Sequence, residues 1–423
     1  MDELTKRLAA LSPEQRELFA LKLKKKGSPF VWPANEAAAA NGRTEKGQSD
    51  GAAAGGAAGR DHAKGMEFSL FFFSADGSKE AGDKYRLLLE SAAFADRHGF
   101  AAVWTPERHF QDFGGLYPNP AVLGAALAVI TERIEIRAGS VALPLHNPIR
   151  VAEEWSVVDN LSRGRVSVSF ASGWHSQDFV LSPDSYEHRK EIMFSHMQTV
   201  QKLWAGEASA FKGVGGREVE LKILPRPVQP RLPVWITVAG NPETWAKAGE
   251  VGAHVLTGLQ GQPIPDLSKK IALYRDKLAQ HGHDPQSGKV AVMLHTFLGA
   301  DNSAVKAKVQ QPLASYLQTF IAQGKTMQAP EGQTALHSLS EKDQQTLVSL
   351  AFEHYFATGS LLGTPAKCAQ MVERLQDIGV DEIACLIDFG LDFDSVMDGL
   401  HYLNELKEQY SPAATPALTV AAQ

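Results

Sequence analysis

Apolar residues in this chain cluster into short continuous runs, and the stretches between them repeat apolar positions every three to four residues. Eight runs read as strands, at residues 67–73, 101–105, 134–138, 165–170, 233–238, 253–256, 291–298 and 382–387. Helical patterning lies between most of them. One helix starts at Asp83-Lys84-Tyr85, runs through LLLESAAFADRHG and ends at Gly99. Another runs from Pro148 through VAEEWSVVDNLS to Gly164, and a third opens at Asn241-Pro242 and closes at Gly249.

This alternation predicts a parallel α/β sheet. Eight strand–helix units within residues 66–410 fit a (β/α)8 TIM barrel. A doubly wound open sheet is the alternative, and it usually carries a glycine-rich turn after its first strand. Here the first strand ends in Phe73-Ser74-Ala75-Asp76-Gly77, with no G-x-G-x-x-G, and no strand precedes the AGGAAG at residues 54–59. Two intervals are long, so the barrel is expected to carry insertions after strands 4 and 7. Residues 171–231 hold a helix at 185–204 and a hairpin around FKGVGGREVELKI. Residues 299–380 hold several helices and the segment GKTMQAPEGQTALHS. Such insertions commonly form lids or binding loops at the C-terminal face of a barrel, where substrate enters.

Outside the body the pattern changes. Residues 1–27 read as a short helical segment with a capping box, Ser12 at N-cap, Pro13 at N1 and Gln15 at N3. Leu11, Leu18, Phe19 and Leu23 form its stripe, and Lys22, Lys24, Lys25 and Lys26 suit its C-terminal dipole before Gly27 stops it. Residues 28–65 have almost no large apolar side chain and read as a flexible linker. Residues 411–423 read as a disordered tail. The domains expected are therefore 1–27, 28–65, 66–410 and 411–423.

Composition narrows the function classes. A formal net charge of -6 argues against nucleic acid as a partner. Cys368 and Cys385 cannot build a disulfide framework and read as buried free thiols. The histidines lack metal-ligand spacing, so no metal site is expected. No apolar run reaches the roughly 18 residues of a membrane span. The start, Met1-Asp2-Glu3, has no signal-peptide pattern, so a cytoplasmic location is expected.

The stretch WTPERHF places Glu107, Arg108 and His109 directly after the second strand, at the end of a barrel where chemistry occurs. Imidazole, guanidinium and carboxylate together supply a proton donor, an anion stabiliser and an orienting partner. The triplet alone suits a hydrolase, an isomerase or an oxidoreductase. Ala138, Gly139 and Ser140 are small enough at the end of strand three for a flat ligand to press on backbone. Asn241 as N-cap, Pro242 at N1 and Thr244 in the first turn make a helix N-terminus suited to phosphate. In Phe71-Phe72-Phe73, two rings belong to the core and Phe73 to a pocket.

The motifs WTPERHF, LPLHNPIRVAEEWSVVDNLSRGR, FASGWHSQDF and LPRPVQPRLPVWITVAGNPETWAKAG resemble those of the bacterial luciferase-like flavin monooxygenases. Within that family the chain is most similar to the monooxygenase domains of nonribosomal peptide and polyketide synthases. LSPEQRELFALKLKKKG is similar to helical segments that separate domains in such assemblies. The resemblance implies an FMNH2- and O2-dependent enzyme, a separate flavin reductase, and a homodimer. It also implies hydroxylation or Baeyer–Villiger-type insertion on a substrate tethered to a phosphopantetheinyl carrier protein. It assigns Glu107 and His109 to the family's acid–histidine pattern, with His109 as proton donor or hydrogen-bonding partner to the reacting oxygen or the substrate. Arg108 stands where the family usually has a histidine, and is expected to stabilise an anionic oxygen or an acidic group. A non-proline cis peptide is expected within Ala138-Gly139-Ser140. The FMN phosphate is expected on Ala239, Gly240, Asn241 and Thr244; Ser172 stands where some relatives have an arginine, so phosphate binding is expected to lean on this helix or on Arg189. Trp174 and His175 are expected to wall the pocket. Two rival readings are a barrel of this family using deazaflavin F420 for hydride transfer, and a non-catalytic docking module.

Overall fold

The computed structural model describes residues 65–73, 83–111, 115–173, 175–259, 262–326, 349 and 352–410. Residues 1–27, the 28–65 linker apart from Gly65, Trp174, and the 411–423 tail lie outside the described residues. The larger of two compact units, Met66–Ser411, carries the fold.

Its strands, numbered along the chain, are β1 (Glu67–Phe71), β2 (Ala102–Thr105), β3 (Glu135–Ala142), β4 (Val166–Ala171), β5 (Ser209–Lys212), β6 (Glu218–Leu221), β7 (Val234–Thr237), β8 (His254–Gly258), β9 (Val290–Leu298), β10 (Leu361–Gly363) and β11 (Glu382–Leu386). The described helices are α1 (Arg86–Arg97), α2 (Pro120–Ile130), α3 (Pro148–Ser162), α4 (Arg189–Ala205), α5 (Pro242–Glu250), α6 (Ile264–Gln280), α7 (Asn302–Thr326), α8 (Pro365–Asp377) and α9 (Phe393–Tyr410). Strands run in the order β11-β1-β2-β3-β4-β7-β8-β9, all parallel, and β9 pairs back onto β11. This is the expected closed (β/α)8 barrel.

All eight expected runs became barrel strands. Parallel strands are buried on both faces, which is why they read as continuous apolar runs. β3 continues to Ala142, past the expected end at Ala138. β10 was not anticipated: Leu361–Gly363 pairs with the end of β9 just before the helix at Pro365. A repeated cap starts the helices at the mouth. Asn119, Asn147 and Asn241 each accept a backbone N–H through the side chain, and each precedes a proline at N1. Thr364 does the same before Pro365.

The insertion after β4 divides between the two ends of the barrel. Residues 175–188 stay at the mouth, but the β5–β6 hairpin leaves from the C-terminal end of α4. It returns through Arg226, which donates to Leu203 and Trp204 carbonyls. Val228 and Gln229 N–H groups then bond Asp159 near the end of α3, and the Gln229 side chain bonds the Val166 carbonyl at the start of β4. The hairpin is thus anchored where strands begin, which corrects the expectation that the insertion as a whole forms a lid.

Inside the barrel, the lower layers are sealed around an ion pair. Arg137 Nη1 lies 2.7 Å from Glu382 Oε2, and its guanidinium stacks between the rings of Trp104 and Trp235 at 4.8 and 4.7 Å. Cys368 and Cys385 are buried free thiols, as expected.

Candidate functional site

Above that floor the interior opens. Trp104, Trp235, Leu256 and Leu386 are buried, whereas Phe73, Ser140, Thr237, Gly258 and Met293, on or just after barrel strands, are half-exposed. The opening is floored by hydroxyls. The β3–β4 register shifts between Gly139 and Val141, and Ser140 Oγ lies 2.5 Å from Thr237 Oγ1. Ser169 Oγ lies 2.7 Å from the same oxygen. A Cβ on Gly139 would stand 2.8 Å from the Phe71 ring and 3.1 Å from Trp104, so this position takes no side chain. The Gly139–Ser140 peptide is cis, at the place the resemblance indicated.

The loop after β2 carries Glu107, Arg108 and His109. The Glu107 side chain is 1% exposed, yet it is held ionised. Burial opposes its charge, but hydrogen bonds from His109, His146 and the Ala142 N–H outweigh this and keep its carboxyl below the ordinary range. His109 Nε2 and His146 Nε2 reach the same oxygen, Oε1, at 2.8 and 2.6 Å. Oε2 accepts the Ala142 N–H at 2.8 Å. An ionised carboxylate has no hydrogen, so both imidazoles donate from Nε2. Neutral His109 therefore keeps a lone pair on Nδ1, and protonated His109 is a donor there.

Arg108 is buried, its guanidinium 4.9 Å from the centre of the Phe73 ring. Burial lowers its proton affinity, countered by Asp178 and Tyr316, which places those groups in its electrostatic surroundings. Asp388, at the end of β11, receives the Phe73 N–H with both oxygens at 2.9 and 3.1 Å, and Tyr117 Oη donates to it at 3.2 Å. The ends of β1, β2 and β11 are thereby locked together under Arg108.

His175 is buried rather than lining open space. The Gln111 amide donates to its Nε2 at 2.8 Å, and its Nδ1 lies 3.9 Å from Asp178. It ties the loop after β4 to the loop after β2. Ser172 is half-buried in that same loop. Arg189 begins α4, where it donates to the Tyr186 carbonyl and stacks on the Tyr186 ring at 4.5 Å. Ala239, Gly240 and Asn241 are exposed at the start of α5, with Thr244 half-buried. Asn241 accepts the Glu243 N–H at 3.0 Å. A Cβ on Gly240 would meet nothing within 4 Å, so space lies open over this helix start.

Sequence reasoning grouped Glu107 and His109 but passed over His146, Asp388, Thr237 and Ser169. His146 had a signal of the same kind as WTPERHF: a titratable side chain between a buried run and an Asn-Pro helix start. Thr237 and Ser169 had none, because hydroxyls inside apolar strands look like ordinary strand residues.

The residues present suit a flavin: a hydroxyl floor with apolar Phe73 and Met293 beside it, an imidazole at its edge, and an exposed capped helix start for a phosphate. Residues 66–382 match the family model described as luciferase-like monooxygenase. The oxygenase component of the flavin-dependent trigonelline monooxygenase of Acinetobacter baylyi is 23% identical over 364 residues, covering 82% of this chain and 96% of that protein. The oxygenating constituent of 3,6-diketocamphane monooxygenase from Pseudomonas putida is a type II Baeyer–Villiger monooxygenase solved with FMN. It has the same fold at a TM-score of 0.67 and 17% identity, covering 82% of this chain and 98% of its own. An F420-dependent secondary alcohol dehydrogenase, solved with an F420–acetone adduct, shares the fold at 0.60 and 18% identity, covering 81% and 98%.

Proposed function

Because this chain belongs to the luciferase-like monooxygenases, flavin-dependent oxygenases that work with a separate reductase, we propose that it binds FMNH2 at the barrel mouth and oxygenates a carrier-tethered substrate there. The observation that carries the reading is the buried Glu107–His109 pair, whose carboxylate also accepts the Ala142 N–H two residues beyond the Ser140–Thr237 hydroxyl contact. Bound reduced flavin supplies the electrons that activate O2. The protein's residues do the rest. Glu107 orients His109, and His109 holds or accepts a proton at Nδ1. Arg108, desolvated and close to Phe73, stabilises negative charge on the reacting oxygen or an acidic substrate group. Ser140, Ser169 and Thr237 offer hydrogen bonds to the flavin ring, and Ala239, Gly240, Asn241 and Thr244 hold its phosphate. Arg189 and Ser172 lie on the neighbouring loop and helix, where the Tyr186 bond keeps Arg189 oriented. Hydroxylation and Baeyer–Villiger insertion both fit this set.

The carrier-bound substrate, in peptide or polyketide biosynthesis, is supported by the sequence of residues 1–27 and the linker that follows. Deleting residues 1–65 is expected to leave flavin binding intact and weaken use of carrier-bound substrate. A homodimer is supported by an exposed apolar stripe: Val122, Val129 and Ile130 on α2, and Val157 and Leu161 on the adjacent α3. Sedimentation measures it.

The deciding experiment is an anaerobic titration with photoreduced FMN, followed by rapid mixing with oxygenated buffer with and without substrate. Binding followed by substrate oxygenation supports the proposal. Binding of F420 with hydride transfer, and none of FMNH2, favours the second reading, for which the dehydrogenase fold is the supporting observation. Failure to bind either cofactor favours a docking module.

A further inference from the structure

Glu107 is shared. Two imidazoles reach one oxygen of a carboxylate whose side chain is 1% exposed, and the carboxylate brings one negative charge. We propose that His146 sets the charge state of His109 through the Glu107 carboxylate, acting as a positioning residue for the working imidazole. This rests on reading Glu107 and His109 as the working pair.

The argument is one of competition. A single proton on either imidazole makes the trio neutral, and a second proton leaves a net positive charge in a buried place. The two protonations therefore oppose each other. His146 takes the first proton for three reasons. Its side chain is 32% exposed against 11% for His109, so its charge is better solvated. Its bond to Oε1 is the shorter, 2.6 against 2.8 Å. It also has a second carboxylate, Glu154 on α3, in its field. Glu107 bonds His109 from its own loop, and Asp178 from the loop after β4 faces it while sharing its field with His175, Arg108 and Glu107. Burial disfavours charge on His146, but Glu107 and then Glu154 more than compensate, and its proton affinity is raised.

With His146 charged, its positive charge balances that of Glu107 and opposes a proton on His109. When His146 loses its proton, the full carboxylate charge turns to His109. The site thus has a second titrating group, His146, on the same carboxylate oxygen as His109.

The test is an NMR titration of imidazole-labelled protein without flavin, the His109 signal being assigned with His109→Gln. His146→Gln keeps an N–H donor for Oε1 and removes the charge. It is expected to raise the His109 midpoint by roughly one pH unit, the scale of a charge removed at this range. In a Glu107→Gln background both imidazoles lose the anion that favours their charge, so the same His146→Gln change is expected to move the His109 midpoint less. Circular dichroism melts check that each variant folds. A His109 midpoint unmoved by His146→Gln overturns the proposal, and so does a shift that is larger without the carboxylate than with it. If the midpoint moves as expected, the coupling holds. Should the pH profile of turnover then fail to follow it, His109 as working group is lost and the coupling stands.

Discussion

The barrel holds two clusters of buried charge on the same set of strands, one below and one above. Below, Arg137 and Glu382 are bonded on every side. Glu382 receives Arg137, Ser69 Oγ at 2.5 Å and Trp104 Nε1 at 3.1 Å, while Arg137 also bonds Glu135 at 2.9 Å and is capped by two indoles. Burial opposes both charges, but the pair keeps Arg137 raised and Glu382 lowered. Above, Glu107 is as deeply buried, but its partners reach outward: His109 and His146 each have a second nitrogen and partial exposure. Saturation separates them. A charge whose partners are fixed and spent holds the structure, and one whose partners titrate and face a cavity can move protons.

The largest way to break this comparison is Glu382→Leu, which leaves buried Arg137 with only the more exposed Glu135 as a carboxylate partner. It is expected to destabilise the protein by about 3–5 kcal/mol in denaturant unfolding. A loss below about 1 kcal/mol would mean that the floor is not sealed. At the mouth the consequence falls on turnover instead. His109→Ala is expected to cut product formation by ~10²-fold with an unchanged melting curve. Equal losses in stability and turnover would erase the distinction between the two clusters.

Acid sharpens it. Burial, aided by Arg137, pushes His254 down to about 4, and burial alone pushes His295 to about 3. Both ionise near the ordinary imidazole value when unfolded, so the unfolded chain binds more protons below it. Stability should fall as pH drops from roughly 6.5 to 5.5, by about 1 kcal/mol for each. The loss continues until the folded values are passed. His146 runs the other way: its raised affinity stabilises below the ordinary imidazole value and fades as pH rises through the folded one. Unfolding midpoints of wild type, His254→Gln and His146→Gln across pH 4–9 separate the two signs.

The smallest effect belongs to the hydroxyl floor. Thr237→Val leaves Ser140 and Ser169 without their common partner and is expected to weaken FMN binding by about 1 kcal/mol, read by fluorescence titration. No change would place the flavin ring away from Thr237.

Much of the barrel was legible along the chain because its elements are local. The helix starts at Pro148 and at Asn241-Pro242 were read within a few residues, and both are capped in the fold. WTPERHF was legible for a similar reason, since Glu107 and His109 are two residues apart and bond each other. The hairpin was recognised as a hairpin, but its end of the barrel was misjudged. That end is set by Asp159 capturing Val228 and Gln229, about 70 residues downstream.

Alone, the sequence determined the strands, the helix starts and the acid–histidine pair, because periodicity and capping act over a few residues. Tertiary structure decided which charges meet. Arg137 and Glu382 are 245 positions apart, Glu107 and His146 are 39, and Ser140 and Thr237 are 97. Closing the barrel brings such residues within bonding distance, and burial then decides whether their charges are spent on the fold or left available at its mouth.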